Sequence, residues 1–419
     1  MTLAACLDVG STDTKLAVVD TGTGELVATA ATPTTLGGDV LDGVDALLAA
    51  AGPVEHVYCC SSAGGGLRLA VIGYEPLVSA DAGHRVALSA GARVVHVAAG
   101  HLTAGQVRDV RADRPDVVLL VGGTDGGDGD TIVHNARRLA AARWRVPVVV
   151  AGNADARDDV LAALARHDLP VVATGNVLPR IGVVDAGPAR AAIRDLFIRH
   201  VIGGKRLSKG PRFARMVSAA TPDAVLTGVG VLAARTGGDL LVVDVGGATT
   251  DVYSALQPRE APPHAVAGVL WHARTVEGDL GVRWNVAGIE AAAARERVPV
   301  AGGPLGLAGA AATIAVRRHT RAGRDLRHVV SVVASGGVFR HAERHAAAAA
   351  VEAILRDHAG GWALPRGPRV AVDAAYVLAA AGLLAADHPQ AAARLCEQLG
   401  ERVTSGGETA AEPGRQHGP

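Results

Sequence analysis

Two short stretches of the same design constrain this chain more than anything else in it. Residues 240–254 read LLVVDVGGATTDVYS. The apolar run from Leu240 to Val243 predicts a buried strand that stops at Asp244. Gly246 and Gly247 make a tight turn, Ala248 follows, and Thr249, Thr250 and Asp251 lead into a second β-prone run. Residues 6–19, CLDVGSTDTKLAVV, repeat the plan: strand, Asp8, Gly10, the hydroxyls of Ser11, Thr12 and Thr14, then Lys15 and another strand. One Asp-Gly turn is an ordinary hairpin. Two hydroxyl-rich copies, each with a carboxylate at the strand end, predict two halves closing on one anion. Each turn joins strand to strand, unlike the strand-to-helix turn of a dinucleotide fingerprint.

The chemistry such turns support is specific. Glycine turns bring backbone N–H groups close to a phosphate. Mg²⁺ keeps most of its waters and is held by one or two carboxylates, for which Asp8 and Asp244 are the natural pair. Lys15 is placed to reach a β- or γ-phosphate as a point charge. Hydrolysis further needs a group that positions water. Asp223, Glu277, Asp279 and Asp373 are candidates, and pattern alone does not choose among them. Asp8, Asp244 and Asp223 are taken as the catalytic set. No GxxxxGK[ST] is present, which argues against a P-loop fold. Residues 122–127, GGTDGG, stand where a phosphate loop would, between a strand and a helix. They lack both the GxGxxG order and a lysine, so a tight βα turn is the better reading. The 16 histidines show no HExxH pattern, so metal catalysis through imidazole is not expected.

Composition sets the outer bounds. The 419 residues suffice for two or three domains and a large core. Aromatics make up 3% against 49% hydrophobic residues, so Ala, Val and Leu must build that core. A formal net charge of zero gives no electrostatic case for nucleic acid. Cys6, Cys59, Cys60 and Cys396 have no metal spacing and read as buried thiols. No signal peptide and no membrane span are expected, which makes the cytoplasm the default location.

Along the chain, a hairpin and third strand occupy residues 3–31 and an amphipathic helix 39–51. Strands follow at 54–61 and 67–74. The loop between them, SSAGGG, is either a phosphate contact or a flexible exit. From 80 to 186, helices alternate with short Val-rich strands, the rhythm of a parallel α/β domain. Residues 188–202 form a helix with Ala189, Ile193, Leu196 and Phe197 inward. A basic stretch near 205–215 is a solvated loop or a dock for an acidic partner. Thr221 is expected to cap a helix over 223–235, with Pro222 and Asp223 in its first turn. Helices are expected at 287–297, 306–321, 341–355 and 374–386, and strands at 329–333 and 369–372. Residues 404–419 read as a disordered tail.

The motifs also carry a resemblance. LDVGSTDTK resembles the phosphate-1 motif of the actin-like ATPase superfamily, which includes sugar kinases, actin and heat-shock chaperone ATPases. VVDVGGATTDVYS resembles phosphate-2, and TPDAVLTGVGVLAA the first connecting helix. VVASGGVFR resembles the adenosine motif, and VAVDAAYVLAAAGLL the second connecting helix. All five occur in the family's order. The resemblance implies an α/β fold with duplicated ribonuclease-H-like halves and an inserted parallel α/β domain of flavodoxin-like type. It implies ATP and Mg²⁺ as cofactors, with Ser335, Gly336, Gly337 and Asp373 joining Gly10, Ser11, Thr12, Thr14, Lys15, Gly246, Gly247, Ala248, Thr249 and Thr250 in binding. The expected segments are 1–79 for the first half of the core, 80–186 for the insert and 187–235 for the return and first connecting helix. The second half covers 236–403, and the tail 404–419.

The strings CSSAGGGLRLAVIG, LLVGGTDGGDGDTIVHNARRLA, VVVAGN and RTVEGDLGVRWN narrow this to the MutL/GlmL accessory proteins of adenosylcobalamin-dependent glutamate mutase. The implied role is an ATP-driven reactivator that exchanges damaged cobalamin, with mutase subunits and ATP/ADP as partners. No nucleic-acid or membrane partner is implied, and a homo-oligomer stays open. The insert is similar to the cobalamin-binding domain of the mutases but lacks DxHxxG: Asp81-Ala82-Gly83-His84 has the wrong spacing. It is expected to compete for the mutase's partner surface without holding cobalamin. Ala248 stands where many relatives place a third glycine. Alternatives on the same fold are a small-molecule kinase, a redox activase with an iron–sulfur cluster, and a filament protein.

Overall fold

Local pairing builds the first half. In the computed structural model, which describes residues 1–63, 67–165, 169–202, 207–259, 269–357 and 360–404, the first apolar run forms β1 (Leu3–Val9). β2 (Asp13–Asp20) returns antiparallel, with Leu3 opposite Asp20 and Val9 opposite Thr14. β3 (Leu26–Pro33) extends the meander. Asp39 opens α1 (Val40–Ala51) by accepting from the Leu41 N–H at 2.9 Å, and the helix buries Val40, Val44 and Leu47. β4 (His56–Ser61) then runs parallel to β1.

The chain next leaves this sheet. β5 (Leu67–Gly73), α2 (Ser79–Ser89), β6 (Ala92–Ala99), α3 (Ala104–Ala112), β7 (Val117–Leu120), α4 (Asp130–Ala141), β8 (Val148–Val150), α5 (Arg157–Ala165) and β9 (Val171–Ala173) alternate as expected. Their sheet is wholly parallel in the order β6-β5-β7-β8-β9. That is 2-1-3-4-5 in its own count, reversing direction between β5 and β7. One expectation needs correcting here. Residues 67–74 pair with β6 and β7, not with the first half, so the parallel sheet begins at β5 rather than at residue 80. A strand buried on both faces is apolar throughout, and such a run does not say which sheet it joins.

α6 (Gly187–Leu196) buries Ala189, Ile193 and Leu196 and leads back to the core. α7 (Arg212–Met216) precedes β10 (Val217–Ala220), which lies parallel to β4. The basic stretch is partly outside the described residues. Its described part docks on α1: Arg212 makes two bonds to Asp45, and Ser208 and the Lys209 N–H reach Asp39. α8 (Thr221–Thr236) follows and ends at Gly237 in the left-handed conformation, φ 70°.

The second half repeats the first. β11 (Asp239–Val245), β12 (Thr250–Ala255) and β13 (His272–Glu277) form an antiparallel meander. After α9 (Val286–Glu296) and α10 (Gly303–Arg321), β14 (Val329–Ser335) returns parallel to β11. The helix expected at 341–355 is α12 (Arg344–Leu355), and a short helix, α11 (Gly337–His341), precedes it. β15 (Arg369–Val372) completes the sheet, and α13 (Val377–Leu384) starts three residues later than expected. The sheets run β10-β4-β1-β2-β3 and β13-β12-β11-β14-β15. Each is 3-2-1-4-5 counted from its outer meander strand inward, with three antiparallel strands and two parallel ones. This is the ribonuclease-H-like arrangement, present twice, and the fold is that of the actin-like ATPases.

α8 and α13 cross between the halves. The crossing is close because Gly228 faces the Leu378 carbonyl and Gly382 faces the Ala224 carbonyl, where a Cβ would collide with backbone. α14 (Pro389–Thr404), absent from the sequence reading, covers both with Ala392, Leu395, Cys396 and Leu399. The disordered tail expected at 404–419 lies, beyond Thr404, outside the described residues. The core is mainly Ala, Val and Leu. Among the described residues no helix is long and apolar enough to cross a membrane.

Candidate functional site

The two hairpin turns face each other across a cavity of about 620 Å³. β1 delivers Asp8, and its turn delivers Gly10, Ser11 and Thr12. β11 delivers Asp244, and its turn delivers Gly246, Gly247, Ala248 and Thr249. The turns are close: a Cβ on Gly247 would stand 3.6 Å from Thr12 Oγ1 and 3.4 Å from Arg283 Cβ. A side chain there would fill the space between the jaws. Lys15, Ser335, Gly336, Gly337 and Asp373 complete the predicted lining. Gly336 sits at φ 108°, with no room for a Cβ beside the Val245 carbonyl, so glycine is required there.

Charges in the cavity are ordered by specific partners. Lys15 Nζ lies 3.4 Å from Asp8 Oδ2 and 3.9 Å from the Tyr376 ring centroid. Burial alone would lower the Lys15 pKa, but Asp8, Tyr376 and Asp244 reverse that and push it up. The half-buried Asp244 carboxyl is pushed up to about 6 by desolvation, against the pull of Lys15 and Ser335. Asp373 is buried and raised for the same reason, although the Val377 and Leu378 N–H groups donate to it.

Several predicted residues stand elsewhere. Thr14 is fully buried and bonds Thr34 at 3.0 Å, and Thr34 in turn donates to the Gly10 carbonyl. Thr250 is fully buried and donates to the Leu280 carbonyl. Both hydroxyls brace the turns from behind. Asp223 is also misplaced by the sequence reading. It is buried, off the cavity lining, and bound by Arg190 at 2.7 Å and Arg194 at 2.6 Å. It ties α8 to α6 and is in no position to activate water in the cleft. Glu277 and Asp279 are likewise held by Arg318. The loop at 122–127 is a satisfied turn: Asn176 donates to the Gly123 carbonyl and Asn153 to that of Gly127.

The cavity includes residues that the sequence reading did not assign to the site. Thr221 is the first residue of α8 rather than its cap, and its hydroxyl reaches Asp8. Asp251 accepts from Thr249 at 3.0 Å and from the buried Arg274 at 2.7 Å. Asn285 bridges the carbonyls of Ala248 and Gly278, fixing the phosphate-2 turn. An arginine within a strand, Arg274, is the one local signal that could have been read. Four buried or half-buried carboxylates, Asp8, Asp244, Asp251 and Asp373, two facing glycine turns and a lysine fit a polyphosphate with a hard divalent cation on chemical grounds.

The family model for MutL protein matches residues 4–301 and 305–399. Protein MutL of Clostridium tetanomorphum is 33% identical over 453 residues, covering 94% of this chain and 98% of that one. Among solved structures, the nucleotide-free acetone carboxylase matches with a TM-score of 0.37 at 16% identity, over 92% of this chain and 70% of that one. Component A of (R)-2-hydroxyglutaryl-CoA dehydratase from Acidaminococcus fermentans matches with a TM-score of 0.29 at 10% identity, over 94% and 100%. On its match to the family model and to the clostridial protein, the chain belongs to the MutL protein family.

Proposed function

We propose that this chain is a cytoplasmic, ATP-dependent reactivating protein for an adenosylcobalamin-dependent mutase of the glutamate mutase type. Family membership supports the accessory role. The observation that carries the ATP half is the pair of opposed glycine turns, each ending in a carboxylate, around one cavity.

In this reading, Gly10, Ser11 and Thr12 bind the phosphates from one side and Gly246, Gly247, Ala248 and Thr249 from the other. Ser335, Gly336 and Gly337 lie at the nucleoside end. Asp8 and Asp244 would hold Mg²⁺, which when bound neutralises phosphate charge. Asp8 is already oriented by Thr221 and Lys15. Closure of the halves on ATP turns them about the α8–α13 crossing.

The inserted sheet is the part that meets the mutase. Its 2-1-3-4-5 order supports a flavodoxin-like reading, with the crevice at the strand carboxyl ends between β5 and β7. Lacking DxHxxG, it occupies the mutase's partner surface without holding cobalamin. The redox-activase reading is disfavoured by the thiols. All four cysteines are buried and free, and burial pushes Cys6 and Cys396 up to about 12.

The test is recovery of activity. Glutamate mutase inactivated with damaged cobalamin should regain turnover when this protein, ATP and fresh adenosylcobalamin are added, and not with a non-hydrolysable ATP analogue. ATP hydrolysis indifferent to mutase yet stimulated by a sugar would move the assignment to a kinase.

A further inference from the structure

The cavity has a third wall, and it comes from the inserted sheet. Gly91 and Arg93, at the α2–β6 junction, both line it. A Cβ on Gly91 would stand 3.2 Å from the Asp223 N atom, so the junction abuts the start of α8. On the opposite side, Arg93 Nη2 is 3.4 Å from where a Cβ on Gly278 would stand. The junction therefore touches both halves of the core at the cleft.

It is also tied to the phosphate-2 hairpin. Arg274 is 5% exposed and donates through Nε to Asp251 at 2.7 Å. Its Nη1 donates to the carbonyls of Leu88 and Ala92, each at 3.3 Å. Ala92 immediately precedes Arg93. A buried guanidinium thus fixes where the Arg93 backbone sits relative to the hairpin.

The charge balance distinguishes Arg93. Lys15 is paired with Asp8, and Arg274 with Asp251. Among the described residues, Arg93 and Arg283 are the cations lining the cavity without a carboxylate partner. Arg283 lies over the Trp284 ring, 5.0 Å from its centroid, and moves with the second half. Arg93 alone is brought by the insert.

We propose that Arg93 is an arginine supplied in cis by the inserted sheet to the terminal phosphate of the bound nucleotide. This rests on the nucleotide reading of the cleft. In hydrolysis, a water oxygen bonds to the γ-phosphorus while the bond from that phosphorus to the β–γ bridging oxygen breaks. The electron pair leaves on ADP, one water proton stays on the released phosphate and the other passes to solvent. Charge shifts toward the bridging and γ-oxygens, where a planar guanidinium stabilises it. The insert's position then sets the hydrolysis rate, so a protein that docks on the insert controls ATP turnover through Arg93.

The test uses the full chain and two nucleotide states: ADP with Mg²⁺, and ADP with Mg²⁺ and aluminium fluoride. Wild-type protein should bind the aluminium fluoride complex more tightly than ADP. Arg93→Ala should bind ADP within about threefold of wild type but lose that preference by about 1,000-fold or more, the scale of a supplied arginine. Arg93→Lys should recover less than a tenth of it, because a point charge lacks the fork. Equal affinity losses for both states, or none for either, would overturn the role of Arg93 alone. Failure of the wild type to bind ADP would overturn the nucleotide reading beneath it. Arg93 is exposed, so an unchanged thermal melt of the variants is expected and separates these outcomes from misfolding.

Discussion

Thr221 donates its hydroxyl to Asp8 Oδ1 at 2.6 Å, across 213 residues of sequence. Lys15 holds the other carboxylate oxygen at 3.4 Å. The end of β1 is thereby joined to the start of the helix that leads into the second half. A carboxylate that is to hold a cation works best when outer partners fix its orientation.

Thr221→Val keeps the shape and removes the donor. Mg-dependent ATP turnover should fall about 10- to 100-fold, with the Mg²⁺ requirement raised, as for loss of other outer partners of metal ligands. Stability should drop by only about 1 kcal/mol. Turnover measured against Mg²⁺ concentration reads this. An unchanged Mg²⁺ half-saturation would show that Thr221 serves the fold alone.

Asp244 makes a pH prediction. Its folded pKa is pushed up to about 6 from 3.8, chiefly by desolvation. Between these values the unfolded chain has released the proton and the folded chain still holds it. The contribution of Asp244 to the stability of the ligand-free protein therefore falls as pH rises through that window, then levels above it. Asp244→Asn should make the slope shallower by the share Asp244 contributes, leaving that of Asp373, and leave the apoprotein at least as stable as wild type at pH 7. Urea midpoints at pH 4, 5, 6 and 7 for both proteins decide this. Asp244→Ala should meanwhile abolish Mg-ATP turnover with the fold intact.

What the sequence made legible was local. A strand, a glycine turn and a second strand are specified by neighbours, so both jaws and their strand-end carboxylates were readable. The duplicated ribonuclease-H-like halves followed from resemblance, whereas strand order and register came from the structure. Contacts at long range left no such trace. Thr221 stands before Pro222 and Asp223, which is the pattern of a helix cap, yet Ala220 takes that position and the hydroxyl turns to Asp8. Arg274 reaches the Ala92 carbonyl 182 residues away, and although an arginine inside a strand is itself a signal, nothing near it names that partner. Asp223 has the composition of a water-positioning acid, but its role was decided by two arginines one helix away.

Asp223→Asn tests that correction. The variant leaves Arg190 and Arg194 without their carboxylate. These side chains are 23% and 37% exposed, so part of the loss is recovered by water. A destabilisation of about 2 kcal/mol is expected. ATP turnover per folded molecule should stay within about threefold of wild type. A loss of several orders of magnitude in a protein with an unaltered melt would return Asp223 to the catalytic set.

The crossing of α8 and α13 is where closure must be accommodated, and two glycines make it. Gly228 packs on the Leu378 carbonyl and Gly382 on that of Ala224, so a methyl at either position meets backbone that has no rotamer to change. In an ordinary helix interior, Gly→Ala gains up to about 1 kcal/mol from propensity. Here the sign should reverse. Gly228→Ala or Gly382→Ala must part the helices, opening the contact among Val229, Leu232, Leu378 and Leu384. A net loss of about 2 to 3 kcal/mol is expected, typical of overpacking. The parted helices also hold the two turns further apart. Nucleotide affinity should therefore fall in these variants although neither glycine lines the cavity. Stability and ADP affinity measured on the same preparations separate the effects. A variant destabilised as predicted but binding ADP normally would mean that the crossing does not set the spacing of the jaws.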